Sequence, residues 1–335
     1  MIISRTPFRV SLFGGGSDYP TWFKQFGGQV VGFAINKYCY ITLRSLPPFF
    51  AHRHRIAYSQ VENVNEISEI QHPAVRAVLA EMGVDSGVEI HHDGDLPARS
   101  GMGSSSSFTV GLINTLLAKQ GRMATKKQLA EEAIRIEQQV IGENVGSQDQ
   151  VWAAYGGMNR ISFLHDGSFD VAPLIIATER RKAMIGSLML FFTGFSRFAD
   201  KVAAKQIANM DNRRAHIHKM AAMVDEAISI MSAPVDRPLD DLGKLLHESW
   251  LLKRELADAV STPEIDEIYQ AAMDAGAIGG KLLGAGGGGF MLFYVRPENQ
   301  AKVRERLKNL IHVDFDVDTS GSKIVVYEPN GLEYS

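Results

Sequence analysis

Asp95-Leu96-Pro97-Ala98-Arg99-Ser100-Gly101-Met102-Gly103-Ser104-Ser105-Ser106-Ser107-Phe108 is the stretch on which the reading of this chain turns. Two glycines free backbone N–H groups to point at an anion, and four serines add hydroxyl donors where a helix begins. Residues 108–117 then read as an apolar, buried helix. Its N-terminus carries about half a positive charge and unpaired N–H groups. The assembly is a phosphate cradle by construction. A serine N-cap joined to a flexible linker is the plainer alternative, since Ser caps helices well. Four serines and two glycines exceed what a cap requires.

Working outward, residues 1–60 read as β-rich. Phe8 to Phe13 alternates and ends in Gly14-Gly15-Gly16, residues 30–43 hold two strand-like stretches, and Pro47-Pro48 breaks the chain. Residues 87–92 form a further strand. A helix over 126–140 places Leu129, Ala133, Ile136 and Val140 at a spacing near 3.6. From Gly186 the pattern changes: a strand at 188–193, long helices over about 197–231, 238–259 and 263–275, a strand at 289–295, and a helix from Pro297 to about Leu310. Short strands at 313–317 and 324–327 close the chain. Strand-helix-strand blocks mixed with hairpins predict an α+β protein of two lobes, 1–180 and 181–335.

Two further segments are rich in glycine. In the first, a strand carries Arg9, Gly14-Gly15-Gly16 turns the backbone, and Ser17-Asp18 follow, so Arg9 and Asp18 can face one cleft. A tight turn with a surface ion pair is the plainer reading. The second runs Gly279-Gly280-Lys281-Leu282-Leu283-Gly284-Ala285-Gly286-Gly287-Gly288-Gly289. It contains a formal G-x-G-x-x-G, but the sequence predicts a helix before it and a strand after it, the reverse of a dinucleotide fingerprint. Either it packs two backbones closely, or it closes over a substrate with Gly286 and Gly287.

Composition excludes other classes. With 335 residues, 35 basic against 38 acidic and a net charge of −3, there is no basic excess to recruit nucleic acid or an anionic membrane. The single Cys39 excludes an internal disulfide and a cysteine zinc cage. The apolar runs are far shorter than a bilayer span, and residues 1–7 lack a signal-peptide core. The expectation is a cytoplasmic protein. A homodimer is compatible with it. His52, His54, His91 and His92 have no acidic or cysteine partners at metal-ligand spacing. Arg180, Arg181 and Lys182 read as solvated.

Together the three glycine-rich segments resemble the GHMP kinase superfamily. That family shows an N-terminal motif, a Pro-x3-Gly-Leu-Gly-Ser-Ser phosphate loop and a C-terminal glycine-rich loop, in this order. Here they stand as Pro7 to Asp18, Pro97 to Ser106 (with Met102 for the usual Leu) and Lys281 to Phe290. The resemblance implies a ribosomal protein S5 domain 2-like N-terminal lobe, a ferredoxin-like C-terminal lobe and ATP-dependent phosphoryl transfer to a small molecule. Gly-Gly-Gly-Ser-Asp-Tyr-Pro after Arg-Val-Ser-Leu, with Ala34 to Tyr38 and Phe192 to Arg197, is most similar to the branch acting on D-glycero-D-manno-heptose 7-phosphate at its anomeric hydroxyl, giving the 1,7-bisphosphate for nucleotide-activated heptose synthesis. Fucose- and galactose-type sugars are the alternatives, although Gly15-Gly16 stands where galactokinase has a Glu-His pair. A nicotinamide-dependent oxidoreductase rests on Gly284–Gly289 alone, and a non-catalytic binding module is disfavoured by Arg9, Ser105 and Asp149 occurring together.

The resemblance also implies residue roles. Gly101, Gly103, Ser104, Ser105 and Ser106 would hold the ATP phosphates, with Ser105 and Glu137 on Mg2+. The segment from Glu137 to the catalytic loop is one residue longer than in the family. Asp149, in Gly146-Ser147-Gln148-Asp149-Gln150, corresponds to the catalytic base, and Arg9 to the motif-one cation. Asp18 corresponds to the sugar-binding aspartate, with Gly15, Gly16 and Ser17 around it. A substrate that already carries a phosphate needs a second cationic pocket. Arg197, preceding a long helix, with Lys201 one turn on, is the candidate.

Overall fold

The computed structural model describes residues 1–195 and 199–329. Twelve strands run through these residues: β1 Ile2–Phe13, β2 Gly28–Ser45, β3 His54–Ala57, β4 Val61–Val64, β5 Val88–Gly94, β6 Met158–Phe163, β7 Phe169–Pro173, β8 Leu188–Phe192, β9 Ala277–Leu282, β10 Phe290–Val295, β11 Ile311–Val313 and β12 Lys323–Tyr327. They form two sheets. The larger has the order β12-β1-β2-β5-β3-β4, with β6 on the free half of β2 and β7 beyond it. The smaller is β11-β8-β10-β9, antiparallel throughout. The last strand, β12, returns to pair with β1.

The two strands expected at 30–43 are one, β2, of 18 residues. Asn36 and Lys37 make a bulge against β1, where the register jumps from Pro7–Tyr38 to Phe8–Ile35. A bulge keeps the ladder going past a polar interruption that reads as a break in sequence. Beyond it, β2 pairs with β6 through its first half and with β5 through its second. This split leaves β1 as the strand that spans both regions.

The helix Ser104–Lys119 lies on β1 and β2 and buries Phe108, Val110, Leu112, Ile113 and Leu116. Hydroxyls pin it there. Ser107 Oγ donates to Pro7 O at 2.8 Å and Ser4 Oγ donates to Gly111 O at 3.0 Å. Its start is therefore fixed relative to Arg9 on β1. The expected helix at 126–140 is α-helical only over Lys126–Arg135 and then widens to a π-turn, Ile136–Ile141. The wider turn rotates Val140 outward, to 39% exposure, while Ile136 and Glu137 face in. The long helix expected from 197 is two: Ala199–Asn209, then, after a 3-10 turn, Arg214–Met231. Arg180 is not solvated but 1% exposed. Its guanidinium donates to the carbonyls of Ile230, Met231, Pro234 and Arg237, and so closes the C-terminal end of Arg214–Met231.

The third glycine segment is preceded by a strand, β9, not a helix, and β10 follows it antiparallel. It is a hairpin loop and still lacks the helix a dinucleotide fingerprint requires. Its tip meets the phosphate loop backbone to backbone. A Cβ built on Gly284, where φ is +72°, would lie 2.4 Å from the Cα of Gly101. We expect Gly284→Ala to cost about 2 kcal/mol through left-handed strain and this clash, read as a fall of several degrees in Tm by calorimetry. An unchanged Tm would mean that the two loops do not press on one another.

Candidate functional site

The three glycine-rich segments meet at one cleft between the sheets, lined among others by Arg9, Asp18, Gly101, Ser105, Asp149 and Lys281. The helix Ser104–Lys119 starts at Gly103, in the left-handed conformation and without a side chain to cap the first turn. The first N–H groups are thus left to face the cleft, where Gly103 and Ser104 to Ser106 all stand.

Arg9 locks this loop to Asp149. Its Nε and Nη2 donate to the two carboxylate oxygens of Asp149, each at 2.8 Å, and its Nη1 donates to Gly101 O at 2.5 Å. The backbone N–H of Arg9 also donates to Met102 O at 3.1 Å. Asp149 sits in the first turn of the helix Gln148–Tyr155, where the helix dipole favours a carboxylate. Its side chain is 27% exposed toward the cleft, against 6% for that of Arg9. The carboxylate is fixed in direction yet open to a ligand.

Asp18 is buried one turn past Gly14, and its Oδ1 accepts from the Gly16 N–H at 3.0 Å. Burial raises its pKa, and the negative charge of Asp149 raises it further. The Gln148 side chain and the Gly16 N–H pull the other way. Gly146 is required here, because a Cβ on it would lie 2.0 Å from Asp18 Oδ2. The segment 146–150 and the first glycine turn therefore close on each other, with Ser147 N–H donating to Asp18 O at 2.9 Å.

Glu137 lies behind the phosphate loop, fully buried on the π-turn, an irregularity frequent at functional sites. Its Oε2 accepts from Ser106 Oγ at 2.9 Å and from the Gln150 amide. Its Oε1 makes no well-aligned hydrogen bond among the described residues, because the nearby Thr109 hydroxyl donates to Ser105 O instead. Burial pushes its pKa up to about 7, opposed by the neighbouring side-chain hydrogen bonds. An orphaned, buried carboxylate oxygen beside a serine hydroxyl suits a hard divalent cation, which takes one or two protein oxygens and completes its shell with water and phosphate.

Several expectations need correction. Ser17 does not reach the cleft: it is fully buried, with its Oγ against Gly14 O and Gln29 O at 2.8 and 2.9 Å. Its hydroxyl secures the turn that Gly15 and Gly16 present. Gly286 and Gly287 turn away, with Gly287 N–H donating to Val260 O at 3.0 Å. Gly284 and Ala285 line the cleft instead. Ser106, not Ser105, reaches Glu137, whereas Ser105 is exposed at the cleft. Arg197 lies outside the described residues, as does the side chain of Lys201. Two cleft residues escape the sequence reading. The spacing around Lys281 fits no P-loop and so gives it no role. Lys253 carries no motif, although it falls on the buried stripe of Asp240–Arg254 with Leu242, Leu246 and Trp250.

Glu137 yields a sign-definite test. Its folded pKa, about 7, exceeds the ordinary 4.5. Its stabilising contribution is complete below the unfolded pKa and is lost as pH rises through the folded one, about 3 kcal/mol in all. In chelator, Glu137→Gln should raise Tm near pH 8 and flatten its decline between roughly pH 5 and 8. A variant that keeps the wild-type slope would reject the burial-raised carboxyl.

Comparison with known proteins places the chain in a family. Residues 68–157 match the family model for the GHMP kinases N terminal domain, and residues 230–312 match that for the GHMP kinases C terminal. A D-glycero-alpha-D-manno-heptose 7-phosphate kinase of Campylobacter jejuni is 28% identical over 316 residues, covering 92% of this chain and 93% of that protein. A bifunctional fucokinase/GDP-fucose pyrophosphorylase of Arabidopsis thaliana is 27% identical over 93% of this chain and 31% of its own length. The crystal structure of a D-glycero-D-manno-heptose 1-phosphate kinase from Bacteroides thetaiotaomicron superposes with a TM-score of 0.77 at 22% identity, over the whole of both chains. A glycine- and serine-rich loop at a helix start, an oriented carboxylate facing it and the two family models, together spanning about half of the chain, lead to one conclusion: the chain belongs to the GHMP kinase family of ATP-dependent phosphotransferases.

Proposed function

We propose that this kinase transfers the γ-phosphoryl group of ATP to the anomeric hydroxyl of D-glycero-D-manno-heptose 7-phosphate, giving the 1,7-bisphosphate and ADP. The observation that carries the chemistry is the bidentate Arg9–Asp149 pair, which aims a carboxylate into the cleft beside the phosphate loop. The sugar rests on the relative in Campylobacter jejuni, matched along nearly its full length.

The backbone N–H groups and hydroxyls of Gly101 to Ser106 bind the β- and γ-phosphates. Ser106 and Glu137 would hold Mg2+, which neutralises phosphate charge when bound. Asp18 accepts hydrogen bonds from sugar hydroxyls. The anomeric oxygen attacks the γ-phosphorus, the bond from that phosphorus to the bridging oxygen breaks, and ADP leaves. The proton of the hydroxyl passes to Asp149. Arg197 and Lys201 are the proposed partners of the distal phosphate. A fucose-type acceptor is the second reading, favoured by the match to the fucokinase over 93% of this chain.

Incubation with Mg-ATP and heptose 7-phosphate should add a second ester phosphorus resonance, coupled to the anomeric proton in phosphorus NMR. If only fucose acquires a phosphate, the heptose reading falls. Asp149→Asn should lower kcat by about 10²–10⁴-fold while leaving the Kd for an ATP analogue within about threefold. Wild-type turnover in that variant would remove Asp149 from the base role.

A further inference from the structure

Two lysines stand in the cleft with no carboxylate partner of their own among the described residues. Lys281, on β9, is 3% exposed, and its Nζ donates to Leu12 O at 2.7 Å. Lys253, on Asp240–Arg254, is 7% exposed and donates to Leu282 O at 2.8 Å and to Gly284 O. Both line the same cleft as the phosphate loop. The charged groups around them, among the described residues, are Arg9 and Asp18, and Lys281 faces Lys253. Arg9 is already committed to Asp149 through Nε and Nη2. Of these groups, Asp18 alone is left to oppose two buried amines. It is itself engaged by Gly16 N–H.

Burying two amines without anions to pair them costs stability, whether they stay charged or shed their protons, and apolar side chains would fill the same space more cheaply. The arrangement makes sense if the missing negative charge arrives with the ligand. We propose that Lys281, backed by Lys253, stabilises the negative charge of the phosphoryl group as it passes from the phosphate loop to the acceptor, and that Arg9 acts instead to position Asp149. This rests on phosphoryl transfer in the cleft but not on the identity of the sugar. An ammonium offers three donors, and Leu12 O takes one from Lys281 among the described residues. The others remain for phosphoryl oxygens. Burial, chiefly, and the Arg9 charge hold Lys281 down to about 7, and Lys253 well below the usual lysine range. An arriving phosphoryl group therefore draws protons onto the pair.

The test compares wild type with Lys281→Met and Lys281→Arg, using whichever sugar the wild type phosphorylates. Failure on heptose 7-phosphate with turnover of another sugar rejects the proposed substrate and leaves this test intact. Lys281→Met should lose about 10²–10³-fold in kcat, with KM for ATP and sugar within threefold and Tm equal to wild type or higher. Lys281→Arg should recover part of kcat. ADP with Mg2+ and tetrafluoroaluminate, a mimic of the transferring group, should bind Lys281→Met at least tenfold more weakly than wild type, while AMP-PNP binds equally well, because the interaction belongs to the transition state. Titration calorimetry of that mimic near pH 8, in buffers of differing ionisation enthalpy, should show proton uptake in wild type and less in Lys281→Met. A kcat within threefold of wild type overturns the proposal. So does a loss shared equally by AMP-PNP affinity or Tm, since that is what a mere strut under Leu12 would produce.

Discussion

Arg9 makes four commitments at once: its guanidinium holds both oxygens of Asp149 and Gly101 O, and its backbone N–H holds Met102 O. These bonds join β1, the phosphate loop and the helix Gln148–Tyr155 at a single residue. A buried ion pair gains little net free energy, because desolvation offsets much of the Coulomb attraction. What it supplies is geometry. A two-pronged bond to a planar carboxylate fixes both position and plane. Removing either partner would leave the other charge uncompensated within a mostly buried surrounding. The pair is therefore better understood as alignment of a carboxylate in the cleft than as a source of stability.

Around that pair, the glycines are a matter of distance more than of flexibility. Gly101 and Gly284 bring backbones from the two sheets into direct contact, and Gly146 leaves room for the Asp18 carboxylate. Side chains at these positions would hold the loops apart by the width of a methyl group. The cleft would then be wider between the loop amides on one side and the Asp149 carboxylate on the other. The helix Ser104–Lys119 adds the other half of the constraint. Its hydroxyl bonds to β1 set where the first turn begins, so the loop amides and Arg9 keep one spacing.

Much of this is legible in the sequence. Glycine and serine at a helix start carry a physical meaning that spacing alone reveals, and Arg9, Asp18 and Asp149, singled out in the sequence, line one cleft. What escapes is direction. The polarity of Ser17 says nothing of where its hydroxyl points, and it points into the turn because the chain reverses between Gly14 and Gln29. Gly286 and Gly287 share the composition of Gly284 but follow the far side of the hairpin, toward Val260. Arg180 looks like any surface arginine until the carbonyl ends of a distant helix are brought to it. Lys253 has a local signal: the 3.6-residue stripe that buries Leu242, Leu246 and Trp250 passes through it. A lysine on such a stripe is an anomaly that periodicity can expose without a structure.

The buried ionisable groups of the cleft share one energetic origin. Burial pushes Glu137 up to about 7 and Lys281 down to about 7, so each is drawn toward its neutral form. The ligands of a kinase reverse both tendencies. A divalent cation favours the ionised carboxylate, and a phosphate favours the ammonium. On the proposed reading, Glu137 would give up a proton where the lysines take one. Burial thus draws both kinds of group away from bare charge, and on the proposed reading the ligands would restore it as opposed pairs. Preorganised dipoles stabilise charge most effectively where water is excluded. Side chains that become charged only as their partners arrive extend that arrangement without the cost of keeping it permanently.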